Sequence, residues 1–454
     1  MSRTLIKGGY VVTMDPRLGE LPRGDVLIDG ERIAAIGPQL DAPDGAATID
    51  AAGMIVMPGL INGHLHTWQS ALRGIAGDWT VAHYMQAMHR GLATLYRPED
   101  IYIANLMGAL NQINCGATTL VDWCHNNPTP EHTDAAIEGL AESGIRAVFL
   151  HGSPKPNPKP GQKHFSEIPM PRAEIERLRK GRFAADGLMT FGLAILGPYY
   201  SVWEVTRQDV ALANEFDLIC SMHVGGGIPM VAGGFERLAD EGLIKANFNV
   251  VHGNDIAPEV IARIVGDGGT FTTTAEIELQ MGYGHPLTGQ LQALGSPMSI
   301  GTDVEAASRG DMFTAMRVTL QHERSRAITE TLEKTGSRPE AMPTTCRNAL
   351  EWTTVNGAKV AGLERKTGSL AVGKAADVVL VSAGDITMFP VRDAIGSIVM
   401  QGGVGAVDTV LIAGKVMKRN GKLLYPQLAE KMEALRRSGD RVLTGCGYLP
   451  RQAA

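Results

Sequence analysis

Short apolar segments alternate with amphipathic helical segments through the middle of the chain, and this alternation predicts an α/β fold with a parallel sheet. Eight of the apolar segments have the length and composition of buried strands. They are residues 59–66, 118–125, 146–152, 189–197, 218–224, 248–254, 269–276 and 297–303. Eight such units predict a closed (β/α)8 TIM-like barrel, in which the active site lies at the carboxyl ends of the strands.

The segments between the strands predict helices, with one exception. Residues 97–115, 132–144 and 257–268 have helical patterns that end in glycine-bearing turns. The exception is residues 153–172, which follow the third strand and are rich in proline, lysine and glycine. This segment could fold over the barrel mouth as a lid, contribute to a subunit contact or form an ordinary surface loop.

Both ends of the chain consist of short strand-like pieces separated by polar turns. This texture fills residues 1–58 and returns only in residues 368–382 and 408–424. We expect the two ends to pair as one small sheet domain wrapped around the barrel. The predicted division is therefore 1–58 for the first part of the sheet domain, 59–364 for the barrel, and 365–454 for the second part with a C-terminal tail.

Composition and charge narrow the class of protein. A chain of 454 residues exceeds the usual size of a single core, and a net charge of −6 provides no basic footprint for nucleic acid or an anionic membrane. The five cysteines are widely spaced and form no CxxC pair, which argues for reduced thiols. The N-terminus lacks the apolar core of a signal peptide. We expect a cytoplasmic homo-oligomer that acts on a small molecule and binds neither nucleic acid nor a membrane.

Histidine and aspartate side chains follow several of the predicted barrel strands. His64 and His66 end the first strand, His223 ends the fifth, His252 the sixth and Asp303 the eighth. A lone histidine after an apolar run is often a hydrogen-bonded core or surface residue. Residues two apart in a strand share a face, however, and imidazole nitrogens with a carboxylate oxygen suit zinc or a similar divalent ion. Several such residues follow different barrel strands, whose ends meet at one rim. Together they therefore predict a metal site.

Several longer motifs carry a family resemblance. They are VMPGLINGHLHTWQSALRG, GATTLVDW, VVHGNDI, SIGTDV and TVNGAKVAGLERKTGSLAVGKAADVVLV. With them the chain resembles the amidohydrolase superfamily over nearly its whole length, in the branch of cytosine deaminase-like and triazine hydrolase-like enzymes. The resemblance implies a (β/α)8 barrel and a composite β-sandwich domain built from both ends.

The resemblance also implies roles for individual residues. His64, His66, His223 and Asp303 match the ligands of a single zinc or iron-like ion, and His252 matches the histidine that orients substrate and water. Asp303 is also expected to accept a proton from that water. No residue aligned with a metal-bridging lysine is evident on the fourth strand, which favours a mononuclear site.

Five residues near the strand ends are candidates for substrate binding. Gln69 could hydrogen-bond a ring nitrogen or carbonyl group, although helix capping or packing explains it nearly as well. An apolar wall for a planar substrate could form from Trp68, Trp123, His125 and Tyr199.

The sequence departs from the family pattern at one position. Typical aminohydrolases of this branch carry His-x-x-Glu at the fifth strand, where the glutamate moves protons, but here the fourth residue is Gly226. Three carboxylates are candidate substitutes: Glu276, Glu278 and Glu305. Glu276 lies closest to the predicted strand end, and we expect it to act as the catalytic acid. The glycines could also make room for a larger substrate.

The sequence therefore predicts a hydrolase in which metal-activated water cleaves a C–N bond of a nitrogen heterocycle or related planar molecule. Without the glutamate, other reactions at the same site stay open. They are hydrolytic dehalogenation, dealkylamination, and amide, urea or carbamate cleavage. A non-catalytic barrel that binds a small molecule is a further alternative.

Overall fold

The two ends of the chain meet in one sheet in the computed structural model, which describes residues 3–181, 183 and 187–448. The N-terminal strands are β1 (Arg3–Val12), β2 (Glu20–Asp29), β3 (Arg32–Gly37), β4 (Ala47–Asp50) and β5 (Met54–Pro58). The C-terminal strands are β14 (Val378–Ser382), β15 (Val407–Ile412), β16 (Lys415–Arg419) and β17 (Lys422–Leu423). The nine-stranded order is β17-β16-β15-β14-β5-β1-β2-β3, with β4 also on β1.

Strands β5 and β14 form the junction between the two ends, and they run antiparallel with Val56 opposite Leu380. Both side chains are fully buried in a separate apolar core of this sheet. The predicted pairing of the two ends is therefore confirmed. The domain boundaries after residues 58 and 364 stay a prediction, and their outermost parts, residues 1–2 and 449–454, lie outside the described residues.

Eight parallel strands form the barrel, and each of the eight predicted segments contains one of them, although the seventh strand ends at Thr273 and not at residue 276. The strands are β6 (Leu60–Leu65), β7 (Ala117–Cys124), β8 (Arg146–Gly152), β9 (Met189–Ile195), β10 (Ile219–Val224), β11 (Phe248–His252), β12 (Thr270–Thr273) and β13 (Met298–Ile300). Neighbours in sequence are neighbours in the sheet. A parallel bridge between Leu65 and Asp303 joins the first strand to the segment after the last, and this bridge closes the barrel. Strands buried on both faces explain the continuous apolar runs in the sequence.

Helices surround the barrel and cover its strands. They are α1 (Val81–Tyr84), α2 (Pro98–Asn114), α3 (Pro130–Ser143), α4 (Arg172–Gly181), α5 (Gly197–Tyr200), α6 (Trp203–Glu215), α7 (Gly234–Asp240), α8 (Pro258–Gly266), α9 (Ala275–Met281), α10 (Thr288–Ala293), α11 (Met312–Thr335), α12 (Cys346–Trp352), α13 (Val355–Val360), α14 (Ala394–Met400) and α15 (Leu428–Gly445). The three predicted helices correspond to α2, α3 and α8. Within the described part of the chain, no helix combines the length and apolar character that crossing a bilayer requires.

The proline-rich segment 153–172 runs from the end of β8 to the start of α4, and one short 3-10 turn interrupts its irregular path. Its first part turns inward, because Lys155 is only 5% exposed and its Nζ lies 5.6 Å from the centroid of the Trp123 ring. The middle of the segment is exposed. Among the three alternatives, the structure therefore favours a segment that covers part of the barrel mouth.

A buried ion pair connects the barrel to the sheet at the opposite end from the mouth. Arg146 at the start of β8 donates from Nε to Asp377 Oδ2 at 2.6 Å and from Nη2 to Oδ1 at 3.1 Å. Asp377 Oδ1 also accepts from the backbone N–H of Ala413 at 2.8 Å. Both charged side chains are buried, so each depends on the other for compensation.

We expect Arg146→Met to destabilise the protein by about 3–5 kcal/mol, because the substitution leaves the Asp377 carboxylate buried without its counterion. Urea unfolding measures the change in free energy. The control is Arg436→Met, which removes exposed pairs with Glu433 and Asp440 and should leave the unfolding midpoint nearly unchanged. Similar losses in both variants would contradict a structural role for the buried pair.

Candidate functional site

Four side chains converge at the carboxyl end of the barrel. One ligand atom from each of His64, His66, His223 and Asp303 lies within 4.8 Å of every other, and all four residues are buried. His64 Nε2 lies 3.2 Å from Asp303 Oδ1 and 3.2 Å from His223 Nε2, and His66 Nε2 lies 3.3 Å from Asp303 Oδ1. The structure thus brings together the whole set of residues predicted as metal ligands.

Barrel closure positions three of these residues. The carbonyl oxygen of His64 accepts from the N–H of Asp303 at 3.0 Å, and the N–H of His66 donates to the carbonyl oxygen of Asp303 at 2.7 Å. His223 comes from the opposite side of the barrel, at the end of β10. His66 Nδ1 lies 2.7 Å from the carbonyl oxygen of Trp123. Donation at Nδ1 leaves the lone pair of His66 Nε2 directed at the other three residues.

The donor set of this cluster fits a divalent cation. Burial lowers the pKa of His64, His66 and His223, and that of His66 falls to about 3. All three imidazoles are therefore neutral near pH 7. Burial opposes ionisation of Asp303, but its hydrogen bond with His64 and the nearby histidines hold the pKa of that carboxyl below its usual range. Neutral imidazoles facing each other across 3.2 Å beside a carboxylate are the ligand arrangement that zinc accepts.

His252 lies beside the cluster with one nitrogen engaged and the other free. Its Nδ1 lies 3.2 Å from Glu278 Oε1 and 3.1 Å from Thr274 Oγ1. Its Nε2 has no hydrogen-bond partner in the described part of the chain and lies 3.8 Å from Asp303 Oδ2. When Nδ1 carries the proton and donates to Glu278, Nε2 is an acceptor that faces the cluster.

The structure brings Glu278 to His252 and does not bring Glu276 there. Strand β12 ends at Thr273 and α9 begins at Ala275, so the two glutamates lie on a helix and point in opposite directions. Glu278 is fully buried, and its Oε1 accepts from the backbone N–H of Thr274 at 2.7 Å. Burial, with a smaller effect from Asp311, raises the pKa of Glu276 to about 7, and no member of the cluster contributes to that shift. The sequence predicted that the seventh strand continues to residue 276. If it did, Glu276 would lie closer to the site than Glu278 does.

Glu305, the third candidate acid, is fully engaged in a structural network. It accepts hydrogen bonds from Ser70 Oγ at 2.7 Å, Arg73 Nε at 2.9 Å and Asn111 Nδ2 at 2.7 Å. These contacts join the segment after β6 to α2 and to the loop after β13. Glu305 therefore stabilises the frame of the site.

The predicted substrate residues lie at different depths. His125 stacks on His66, with ring centroids 4.1 Å apart, and Trp123 packs on His223 at 4.1 Å. Trp68 lies behind His125 and donates from Nε1 to His125 Nδ1 at 3.0 Å. A neutral His125 therefore presents an N–H at Nε2. Gln69 is also buried, donates to the hydroxyl group of Tyr84 at 2.5 Å and has an Oε1 without a partner among the described residues.

At the fourth strand the structure favours Tyr200 over Tyr199. Burial, followed by Asp255, Tyr199 and Asp303, raises the pKa of Tyr200, whereas burial and Asp255 raise the pKa of Tyr199 to about 12. Tyr200 donates from its hydroxyl group to the carbonyl oxygen of Gly225 at 2.6 Å. Lys155 also lies at the mouth, next to the Trp123 ring. The sequence did not predict it as a site residue, because only its position in the segment after the third strand pointed to the mouth.

The backbone conformation and the close neighbours of the glycines after His223 oppose a side chain at these positions. Gly226 has a φ of +80°, and a Cβ atom there would lie 2.9 Å from Val81 Cγ2. Gly225 has a φ of +124°, and its Cβ would lie 2.6 Å from Tyr283 Cδ1. A side chain at either position would therefore meet both backbone strain and steric conflict.

Known proteins resemble this chain over nearly its whole length. A model of the amidohydrolase family matches residues 55–265 and 285–417. A 5'-deoxyadenosine deaminase from Methanosarcina mazei is 25% identical over 471 residues, covering 98% of this chain and 99% of that protein.

Two solved structures show the same fold. An adenosine deaminase from Xanthomonas campestris with bound Zn has a TM-score of 0.81 and 22% identity, covering 98% of this chain and 99% of that one. The atrazine chlorohydrolase TrzN from Arthrobacter aurescens TC1, complexed with zinc, has a TM-score of 0.83 and 23% identity. The match covers 96% of this chain and 100% of that one.

We expect Gly226→Glu to destabilise the protein by about 1–3 kcal/mol, because the left-handed backbone and the Val81 side chain both oppose a Cβ atom. The matched control is Gly227→Glu, since an added Cβ at Gly227 meets no atom within 4 Å and its backbone is not left-handed. Urea unfolding of both variants measures the difference. Equal stability of the two variants would show that the turn tolerates a glutamate at residue 226.

Proposed function

The chain belongs to the amidohydrolase family, and on that premise we propose that it is a zinc-dependent hydrolase that deaminates a nitrogen heterocycle with water as the nucleophile. The observation that carries this proposal is the convergence of His64, His66, His223 and Asp303, with the free Nε2 of His252 beside them. We assign one zinc ion per chain to the four residues. A divalent ion in such a ligand set lowers the pKa of water to about 7, so hydroxide is available at neutral pH.

The residues around the cluster take the proton that the attacking water releases. Asp303 Oδ2 and His252 Nε2 lie 3.8 Å apart, so a proton received by Asp303 has an acceptor nearby. Glu278 accepts from His252 Nδ1–H and stabilises the imidazolium that forms when Nε2 is protonated. The contacts of Glu278 with Thr274 and Asn254 keep its carboxylate in place. Glu278 is a positioning residue in this scheme.

The aromatic side chains around the cluster suit a flat substrate. His125 stacks on His66 and offers Nε2–H as a hydrogen-bond donor, while Gln69 Oε1 offers an acceptor. Trp68 and Trp123 hold these groups from behind, and Tyr199 extends the wall through its contact with Tyr200. A ring that carries both kinds of polar atom would match this donor and this acceptor.

The names of the similar proteins favour deamination over the other reactions. One is a 5'-deoxyadenosine deaminase and another an adenosine deaminase with bound Zn. The chlorohydrolase, also complexed with zinc, supports hydrolytic dehalogenation as the second candidate. Both reactions require the same attack of water at an electron-poor ring carbon and differ in the group that leaves.

We expect the purified protein to contain about one zinc ion per chain and to release ammonia from an aminated heterocycle such as 5'-deoxyadenosine. Asp303→Ala should lower the metal content well below one ion per chain and turnover by at least about 100-fold, since it removes a ligand and a proton acceptor. Metal analysis and separate assays for ammonia and chloride provide the readouts. The control is Asp408→Ala, which alters a half-buried aspartate on β15 of the sheet domain and should leave both readouts unchanged.

Retention of turnover in Asp303→Ala would contradict the proposed use of the metal cluster. Release of chloride without ammonia across a panel of paired substrates would favour the second candidate reaction.

We expect Glu278→Gln to slow turnover by roughly 100-fold, because a neutral amide no longer stabilises protonated His252. Glu276→Gln is the matched control, two residues away on the same helix and without contact to the cluster, and should change turnover less than about twofold. Steady-state kinetics of both variants decide the matter. A larger effect at residue 276 would restore Glu276 as the catalytic acid.

A further inference from the structure

Lys155 places a buried ammonium group in the barrel mouth. The side chain is only 5% exposed. Within the described part of the chain its Nζ has neither a hydrogen-bond acceptor nor an ion-pair partner. Its neighbours are instead two aromatic faces, with Nζ 5.6 Å from the ring centroid of Trp123 and 5.3 Å from that of Tyr200. An ammonium group held by aromatic faces at the mouth, with no carboxylate bound to it among the described residues, is available to a substrate there.

The titratable groups within electrostatic range of Lys155 come from five different parts of the mouth. They are Asp303 after β13, His66 after β6, His89 between α1 and α2, His125 after β7, and His223 on β10. Burial lowers the pKa of Lys155 to about 7, and Asp303 opposes that shift. The ammonium group is therefore close enough to interact with Asp303, and it can give up a proton near neutral pH.

The proposed deamination needs a proton donor for the nitrogen that leaves. His252, Glu278 and Asp303 lie together and, in the proposed scheme, receive and hold the proton released by water. Gly226 has no side chain, Glu276 faces Asp311, and Glu305 is engaged by Arg73 and Asn111. Lys155 lies across the mouth, beyond the Trp123 ring that packs on His223. A substrate above the cluster would lie between the two sides.

We propose that Lys155 is the catalytic acid that protonates the leaving nitrogen in place of the family glutamate, an assignment that rests on the proposed hydrolytic deamination. The water oxygen bonds to the ring carbon, and its proton passes to Asp303 and His252. The C–N bond then breaks, its electron pair stays on nitrogen, and that nitrogen takes a proton from Lys155 Nζ. Ammonia leaves, the neutral Lys155 amine regains a proton from solvent, and His252 returns its proton to solvent.

A comparison of two substrates that differ only in the leaving group distinguishes an acid role of Lys155 from a structural role. Adenosine and 6-chloropurine riboside both yield inosine, but chloride leaves without a proton. We expect Lys155→Met to lower kcat for adenosine by about 100-fold or more and kcat for the chloro compound by less than about tenfold. Lys155→Arg should fail with adenosine in the same way, because a guanidinium keeps the charge but does not release a proton at these pH values.

The matched control is Lys159→Met, which removes an exposed lysine of the same segment and should leave both reactions unchanged. Equal loss with both probes in Lys155→Met, or recovery of adenosine turnover in Lys155→Arg, would overturn the assignment.

A second measurement needs no turnover. Reductive methylation with ¹³C-formaldehyde labels lysine amines, and the resonance absent from Lys155→Met identifies Lys155 in NMR spectra. We expect this resonance to titrate near pH 7. A midpoint near the ordinary lysine value of about 10.4 would overturn the assignment. Because this result is independent of catalysis, it distinguishes failure of the Lys155 assignment from failure of the proposed hydrolysis.

Discussion

The backbone pairing that closes the barrel is the interaction on which the site depends. The carbonyl oxygen of His64 accepts from the N–H groups of Thr302 and Asp303, at 3.1 and 3.0 Å, and thereby joins distant parts of the chain. This approach requires glycine on both sides. A Cβ at Gly63 would lie 2.4 Å from Ser299 Oγ, and one at Gly301 would lie 2.6 Å from the carbonyl oxygen of His64. Closure therefore sets the distances among three of the four ligand residues before any metal binds.

Much of this arrangement could be predicted because it follows from local patterns. Barrel strands buried on both faces are continuous apolar runs, and a residue at the end of such a run lies at the barrel mouth. The positions of Glu278 and Lys155 depend on other information. Helix α9 begins two residues after β12 ends, and that boundary decides which glutamate faces His252. The inward turn at Lys155 is a tertiary property of an irregular segment, and no periodicity in the sequence indicates it.

The proposed scheme divides between two sides of the mouth a task that one glutamate performs in related aminohydrolases. His252, supported by Glu278, lies on one side of the cluster, and Lys155 lies on the other with the aromatic rings of Trp123 and Tyr200. The side chains of Val81 and Tyr283 occupy the space in which Cβ atoms at Gly226 and Gly225 would lie. In the proposed scheme, β10 therefore carries only the ligand His223, and the acid, Lys155, comes from the segment after β8.

Two of the residues proposed to act on the water, His252 and Asp303, have left-handed backbone conformations, with φ of 67° and 59°. Such a conformation at a residue other than glycine costs on the order of 1–3 kcal/mol. Glycine would relax the backbone at either position but would remove the imidazole or the carboxylate. The strained backbone at both positions is held in place by the buried contacts of the two side chains, so the direction of the imidazole and of the carboxylate is fixed by the fold.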